Sequence, residues 1–168
     1  MIGIVPAAGN ATRLNGLPKM LLPIPDSTLF GETRRKMLIC NIEHVVTGTR
    51  VGNLTFLQGL CDEKVELFEA NTDTMSETVL RSRDHMPDPN EWVCFGMPDT
   101  YFDDENAFCK LHYALIHGAD VAVGIFAARS EQHHKLGNAT MVEHIVELVE
   151  KKAAELAAAA LIAKQAAE

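Results

Sequence analysis

Two cations, Arg13 and Lys19, lie in a stretch from Ala7 to Leu22 that contains no acidic residue. An apolar run from Ile2 to Pro6 precedes them and ends in the small residues Ala7, Ala8 and Gly9. Small side chains at the end of a strand let a base and ribose lie against the backbone. Exposed backbone N–H groups in such a turn hold phosphate oxygens. With Arg13 and Lys19 adding fixed positive charge, the chemistry suits a polyphosphate, and a nucleoside triphosphate above all. The stretch is not a P-loop, because no Gly-Lys-Ser/Thr follows it, and it lacks the glycine spacing of the dinucleotide fingerprint.

A carboxylate appears where a partner for that charge is needed. Trp92 to Met97 reads as a buried strand, and Pro98-Asp99 follows at its C-terminal end, the end at which open parallel sheets bind ligands. Asp99 is thus placed where a ligand would meet it; the alternative is a turn-forming Pro-Asp. Between the two segments, Thr74 and Glu77 have capping-box spacing and place a helix start after a strand at Val65 to Glu69.

The N-terminal run resembles the signature of the sugar-phosphate nucleotidyltransferases, with Ala7, Ala8, Gly9, Thr12, Arg13, Leu14, Pro18 and Lys19 on the pattern. Ala11 stands where that family usually has a second glycine, so the loop must avoid positive φ there. The spacer from Arg13 to Pro18 looks more like that of the cytidylyltransferases acting on small polyol phosphates. Asp99 and Phe102 match the family's strand-end Asp and aromatic, with Pro98 replacing a glycine.

The resemblance implies an α/β fold with a mainly parallel sheet and helices on both faces, Rossmann-like in kind. It implies Arg13 and Lys19 as catalytic residues, Asp99 as the Mg2+ ligand, and Ala7, Ala8, Gly9, Asn10 and Thr12 as nucleotide-binding residues. Ser76 and Glu77 overlay the family's base-and-sugar loop more loosely, and capping alone explains Glu77. The implied reaction transfers a nucleoside monophosphate from a triphosphate to a sugar or polyol phosphate, releasing pyrophosphate. A nucleotide-binding or assembly module without turnover is the alternative. A related glycosyltransferase ranks last, because Pro98-Asp99-Thr100 lacks a second Asp at the spacing such enzymes use.

The elements that must position these residues follow from pattern. Strands are expected at 2–6, 54–57, 65–69, 92–97 and 119–127, and helices at 32–46, 75–85 and 104–117, with a turn at 47–52. From Met141 the apolar positions Val142, Ile145, Val149, Leu156 and Ala160 mark a helical stripe without glycine or proline, which predicts one long helix. The division expected is a core over 1–137, shortened relative to the family, and an Ala-rich tail over 138–168. That tail does not resemble the family, whose acceptor-binding half cannot be placed, and it offers a surface for homo-oligomerisation.

The chain has 168 residues and a formal net charge of -8. That length suits one soluble domain, and that charge excludes a general nucleic-acid surface. The Arg34-Arg35-Lys36 cluster reads as a solvated face. Cys40, Cys61, Cys94 and Cys109 lack zinc-ligand spacing and no secretion signal opens the sequence, so they are expected to stay reduced in a cytoplasmic protein, with Cys94 and Cys109 packed as small apolar residues. No membrane partner is expected.

Overall fold

The computed structural model describes residues 1–9, 16–124, 138–142 and 145–149. The chain divides into two compact units, Met1–Ala122 and Val123–Glu168.

The first unit is built on a parallel four-stranded sheet. Its centre is β1, Ile2–Ile4. Ile2 and Ile4, two residues apart, are buried on the same face of the sheet. Gly3 is required by a close approach: a Cβ there would sit 2.9 Å from Met37 Sδ and 3.1 Å from Ile42 Cγ2. The strand β4, His44–Thr49, pairs with one edge of β1, and β6, Val93–Phe95, with the other. Beyond β4 lies β5, Val65–Glu69. The order β5-β4-β1-β6 means that the chain winds outward from β1 through β4 to β5 and then returns to the far side of β1. That reversal opens a crevice at the C-terminal ends of β1 and its neighbours.

Helix α1, Leu29–Ile39, begins where Thr28 Oγ1 accepts a hydrogen bond from Gly31 N at 3.1 Å. Its inward face is Phe30, Thr33, Lys36 and Met37. Phe30 and Met37 are fully buried, and burying a side chain of that size contributes about 1.5–3 kcal/mol. They share a core with Val5, Met20, Val45, Leu57 of α2 (Val51–Gln58) and Phe108 of α4 (Ala107–Ile116). Ile2, Ala8, Val46, Phe68 and Ala70 form a second cluster. There α3, Met75–Ser82, comes so close to β4 that a Cβ on Gly48 would lie 2.7 Å from Thr78 Cγ2 and 2.6 Å from Phe68 Cζ. Apolar cores thus line both faces of the sheet, as the alternating pattern predicts.

Several boundaries differ from the sequence expectation. The helix expected at 32–46 ends at Ile39, and β-branched Val45 and Val46 belong to β4. The turn expected at 47–52 is the end of β4 followed by the start of α2, which also absorbs the strand expected at 54–57. Residues Lys19–Leu21 form a single 3-10 turn, and Pro23–Ile24 (β2) pairs with Ser27–Thr28 (β3) in a small hairpin around Asp26, whose φ is 64°. Residues 119–124 form no strand; the rest of that expected strand lies outside the described residues.

Two further expectations are corrected. Cys40 and Cys109 are joined by a disulfide with Cα atoms 4.9 Å apart, so they are not reduced thiols, while Cys61 and Cys94 are free. The two bonded cysteines lie at the C-cap of α1 and within α4, helices that pack together. Lys36 is not on a solvated face but 1% exposed, close to Glu32 at 3.4 Å and donating to Phe102 O.

In the second unit, β7, Asn138–Val142, and β8, Ile145–Val149, pair antiparallel. The helix expected from Met141 is therefore replaced by a hairpin through Val149. Its stretch is rich in valine and isoleucine, which suit a pleated strand better than a helix. Residues 150–168 lie outside the described residues.

Candidate active site

The crevice at the sheet's C-terminal end is a cleft of about 400 Å³. Its walls come from the residues after β1, the loop between β5 and α3, and the segment after β6, with Arg50, which follows β4, completing the lining.

The first wall continues β1 beyond its regular pairing. Val5 N donates to Val46 O at 3.0 Å and Ala7 N to Gly48 O at 2.8 Å, which carries the chain into the cleft as an extended strand. Ala7 and Ala8 are buried and Gly9 is exposed. Pro18, Lys19 and Met20 close this side. Met20, 4% exposed, plugs the turn into the core, and this anchor leaves the neighbouring Lys19 at the cleft. Asn10, Thr12 and Arg13 lie outside the described residues.

The second wall is Thr72, Asp73, Thr74, Met75 and Thr78. The helix starts at Thr74 as its spacing predicts, with one half of the capping box formed and the return bond reaching Asp73, one residue before the cap. Glu77 N donates to Thr74 Oγ1 at 3.1 Å, and Glu77 Oε2 accepts from Asp73 N at 3.3 Å. Glu77 also bonds Arg81 at 2.9 Å. Ser76 and Glu77 thus sit on the first turn of α3 and are absent from the cleft lining, where Thr74 and Met75 stand instead. Thr72, 3% exposed, shares a hydroxyl hydrogen bond with Thr78 and so ties the loop to α3.

The third wall is Met97, Pro98 and Asp99. Gly96 N donates to Ile4 O at 3.0 Å, extending the β1–β6 ladder by one residue. Helix α1 then holds the segment at two points. Thr33 Oγ1 donates to Met97 O at 3.3 Å, and the buried Lys36 ammonium donates to Phe102 O beneath the Phe102 ring. Phe102 also packs edge-on against Phe108 at 5.6 Å. Asp99 stands between these anchors, its Oδ2 3.6 Å from Lys19 Nζ.

Several lining residues, among them Thr72, Asp73, Met97 and Arg50, were not candidates in the sequence. Arg50 follows β4, donating from Nε to Ala8 O at 2.8 Å and from an Nη to Thr72 O at 3.0 Å. The polar run Thr47-Gly48-Thr49 hid it, because it reads as a turn although all three residues are strand. The signal lay in the preceding Val45-Val46, β-branched residues that continue a strand better than a helix.

Solved structures share this architecture. A protein assigned as a glucose-1-phosphate thymidylyltransferase from Bacillus anthracis, solved with sucrose, matches with a TM-score of 0.69 at 18% identity, over 91% of this chain and 65% of that one. The fold is that of the nucleotidyltransferases. The 4-diphosphocytidyl-2C-methyl-D-erythritol synthase of Anaerococcus prevotii shares the nucleotidyltransferase fold with a TM-score of 0.55 at 16% identity, over 67% of this chain and 49% of that one. The UTP-bound UGPase of Acinetobacter baumannii gives 0.53 at 15%, over 70% of this chain and 54% of that one. The chain therefore spans from about half to just under two thirds of the length of these structures. No family model matches the sequence, and no curated protein matches it. No described helix is long and apolar enough to cross a membrane.

Proposed function

We propose that the cleft binds a nucleoside triphosphate and that the chain serves a nucleotidyltransferase reaction, with a sugar-1-phosphate or related polyol phosphate as acceptor. The observation that carries this reading is the convergence of the Pro6–Gly9 turn, Lys19 and Asp99 on one cleft at the sheet's switch point. The UTP bound by the Acinetobacter enzyme of the same fold supports a triphosphate as guest.

In this reaction an oxygen of the acceptor phosphate forms a bond to the α-phosphorus, the bond to the bridging oxygen breaks, and pyrophosphate leaves with that electron pair. The acceptor oxygen is already ionised, so no general base is needed and the protein's work is positioning and charge neutralisation. The turn at Ala7 to Gly9, with Asn10 and Thr12, receives the nucleoside. Arg13 holds the β- and γ-phosphates, and Lys19 meets charge growing on the α-phosphate. Ser76 and Glu77 act from the first turn of α3, Glu77 through its bonds to Asp73 and Thr74 of the lining loop.

Magnesium fits this donor set in one way. Among the described residues no group of three His, Cys, Asp or Glu side chains forms a cage, whereas two carboxylates, Asp99 and Asp73, line the cleft from different walls. Magnesium bound through one or two carboxylates and the substrate's own phosphates matches that supply, and Asp99 would hold it. When bound, it would neutralise phosphate charge.

A second reading, nucleotide binding without turnover, is favoured by the cleft's cations. Among its described lining residues only Lys19 and Arg50 are basic, and both already have protein partners. The deciding experiment screens ATP, CTP, GTP, UTP and dTTP for magnesium-dependent thermal stabilisation, then assays pyrophosphate release with a panel of sugar and polyol phosphates. Stabilisation with release supports the transferase, and stabilisation alone the second reading. Absence of both overturns the proposal.

A further inference from the structure

The end of β4 works as a staple. Thr49 Oγ1 donates to Ala7 O at 3.2 Å, and Arg50 Nε takes the next carbonyl along, Ala8 O, at 2.8 Å. On the opposite side, Ala70 N donates to Thr49 O at 2.8 Å, and the Arg50 guanidinium reaches Thr72 O at 3.0 Å. Two successive residues thus hold both walls of the cleft beyond the point where regular strand pairing stops. The Ala8 turn and the Thr72 loop touch one planar group whose donor geometry is fixed.

We infer that Arg50 is a positioning residue that sets the width of the nucleoside slot between the Ala7–Gly9 turn and the Thr72–Met75 loop; this rests on the nucleotide-binding reading of the cleft. Its charge has no carboxylate within ion-pair distance among the described residues. Its action is nonetheless assigned to the two carbonyls, which take the Nε donor and one N–H of a terminal nitrogen and so fix the guanidinium plane between the walls. A lysine cannot do this work. Its ammonium is a point charge on a flexible stem, and it would reach one carbonyl while leaving the other loop unheld. Preorganising both walls lowers the ordering cost of binding regardless of how many phosphates the ligand carries.

The test compares the parent chain with Arg50→Gln and Arg50→Lys by calorimetry, using ATP, CTP, GTP, UTP and dTTP and the matching monophosphates. Arg50→Gln should weaken the monophosphate and the triphosphate of the preferred base alike, each about tenfold. Arg50→Lys should recover only part of that loss. Guanidinium ion, added far below denaturing concentration, should restore Arg50→Gln by refilling the space between the carbonyls, an effect that a general packing defect would not produce. Without nucleotide, amide exchange in Arg50→Gln should rise at Ala7–Gly9 and at Thr72–Thr74 together, with the melting temperature little changed. A loss confined to triphosphates would overturn the inference in favour of a direct phosphate contact, and unchanged binding would overturn it outright. A parent chain that binds none of the ten ligands would instead sink the nucleotide-binding reading itself, and this inference with it.

Discussion

Lys19 Nζ and Asp99 Oδ2 face each other at 3.6 Å across the cleft, one on the turn that follows β1 and the other on the segment that follows β6. Both side chains are about a third exposed, and an exposed pair of this kind contributes about 0–1 kcal/mol. The pair therefore has little bearing on whether the chain folds. Helix α1 fixes the Asp99 segment independently, through Thr33 and Lys36. Asp99→Asn should accordingly stay within ~1 kcal/mol of the parent in denaturant unfolding while magnesium-dependent stabilisation by nucleotide disappears. An unchanged magnesium titration would leave Asp99 as a turn residue.

Arg13 tests the phosphate end of the same reading. A guanidinium that clamps the β- and γ-phosphates is worth most where the ligand charge is greatest. Arg13→Ala should weaken triphosphate binding by about 1.5–3 kcal/mol and monophosphate binding much less. Equal losses for the two ligands in calorimetry would remove the assigned role. The contrast with Arg50, whose removal should affect both alike, separates contact from positioning.

Thiol chemistry checks the corrected cysteine pattern. Unfolded without reductant, the chain should show two titratable thiols, Cys61 and Cys94, and four after reduction. In the native state Cys94 should not react, because burial pushes its thiol up to about 12. Cys61, half-buried, is raised chiefly by the same desolvation and should react slowly. The bond closes a separation of 69 residues, so its loss should cost about 2–4 kcal/mol of stability. Four free thiols without reductant would refute the pairing.

Acid stability should depend on Glu32. Hydrogen bonding from Arg35 is the main reason its carboxyl is held down at about 2, with Lys36 adding to the effect against a partial desolvation cost. The folded value lies below the ordinary 4.5, so the unfolded chain binds the extra proton first. This contribution is fully present above pH 4.5 and is lost as the pH falls towards 2. Glu32→Gln should flatten the stability profile in that window. It should also cost on the order of 2 kcal/mol at neutral pH, because buried Lys36 would lose its counter-charge. Parallel acid-unfolding curves for parent and variant would show the contact to be inert.

Legibility in the sequence followed the strength of local signals. The run ending in Ala7-Ala8-Gly9, the helix start at Thr74 and the strand before Asp99 each announce their structure through neighbouring residues, and each stands where its pattern put it. The last is nonetheless not the buried strand expected: β6 is an edge strand in which only Cys94 is buried and Val93 and Phe95 are exposed. What was hidden depended on distant partners. Thr47 and Thr49 are fully buried polar residues, and only the packing of β1 and β5 on either side makes their stretch a strand. Arg50 became visible only with that strand in place. Lys36 looks like surface charge until Phe102 and Glu32 are brought to it. Cys40 and Cys109 carry no spacing signal, since α1 and α4 alone bring them together. The helical stripe after Met141 gave way to strands over 141–142 and 145–149 for a further reason: the valines and isoleucine there fit a strand pairing as well as a helix face, and periodicity alone does not separate the two.

The Cys40–Cys109 bond also makes the cleft unequal in its tethering. Arg50, Thr72 and Asp99 lie inside the covalent ring that it closes, whereas the Ala7–Gly9 turn and Lys19 lie on the strand of chain leading into it. A backbone cut at the exposed Pro89–Asn90 stretch leaves both pieces in one covalent molecule. A cut ahead of Cys40 leaves β1, the strand at the centre of the sheet, held by noncovalent forces alone. Nicking therefore spares the wall that carries Asp99 and endangers the one where the nucleoside is proposed to lie.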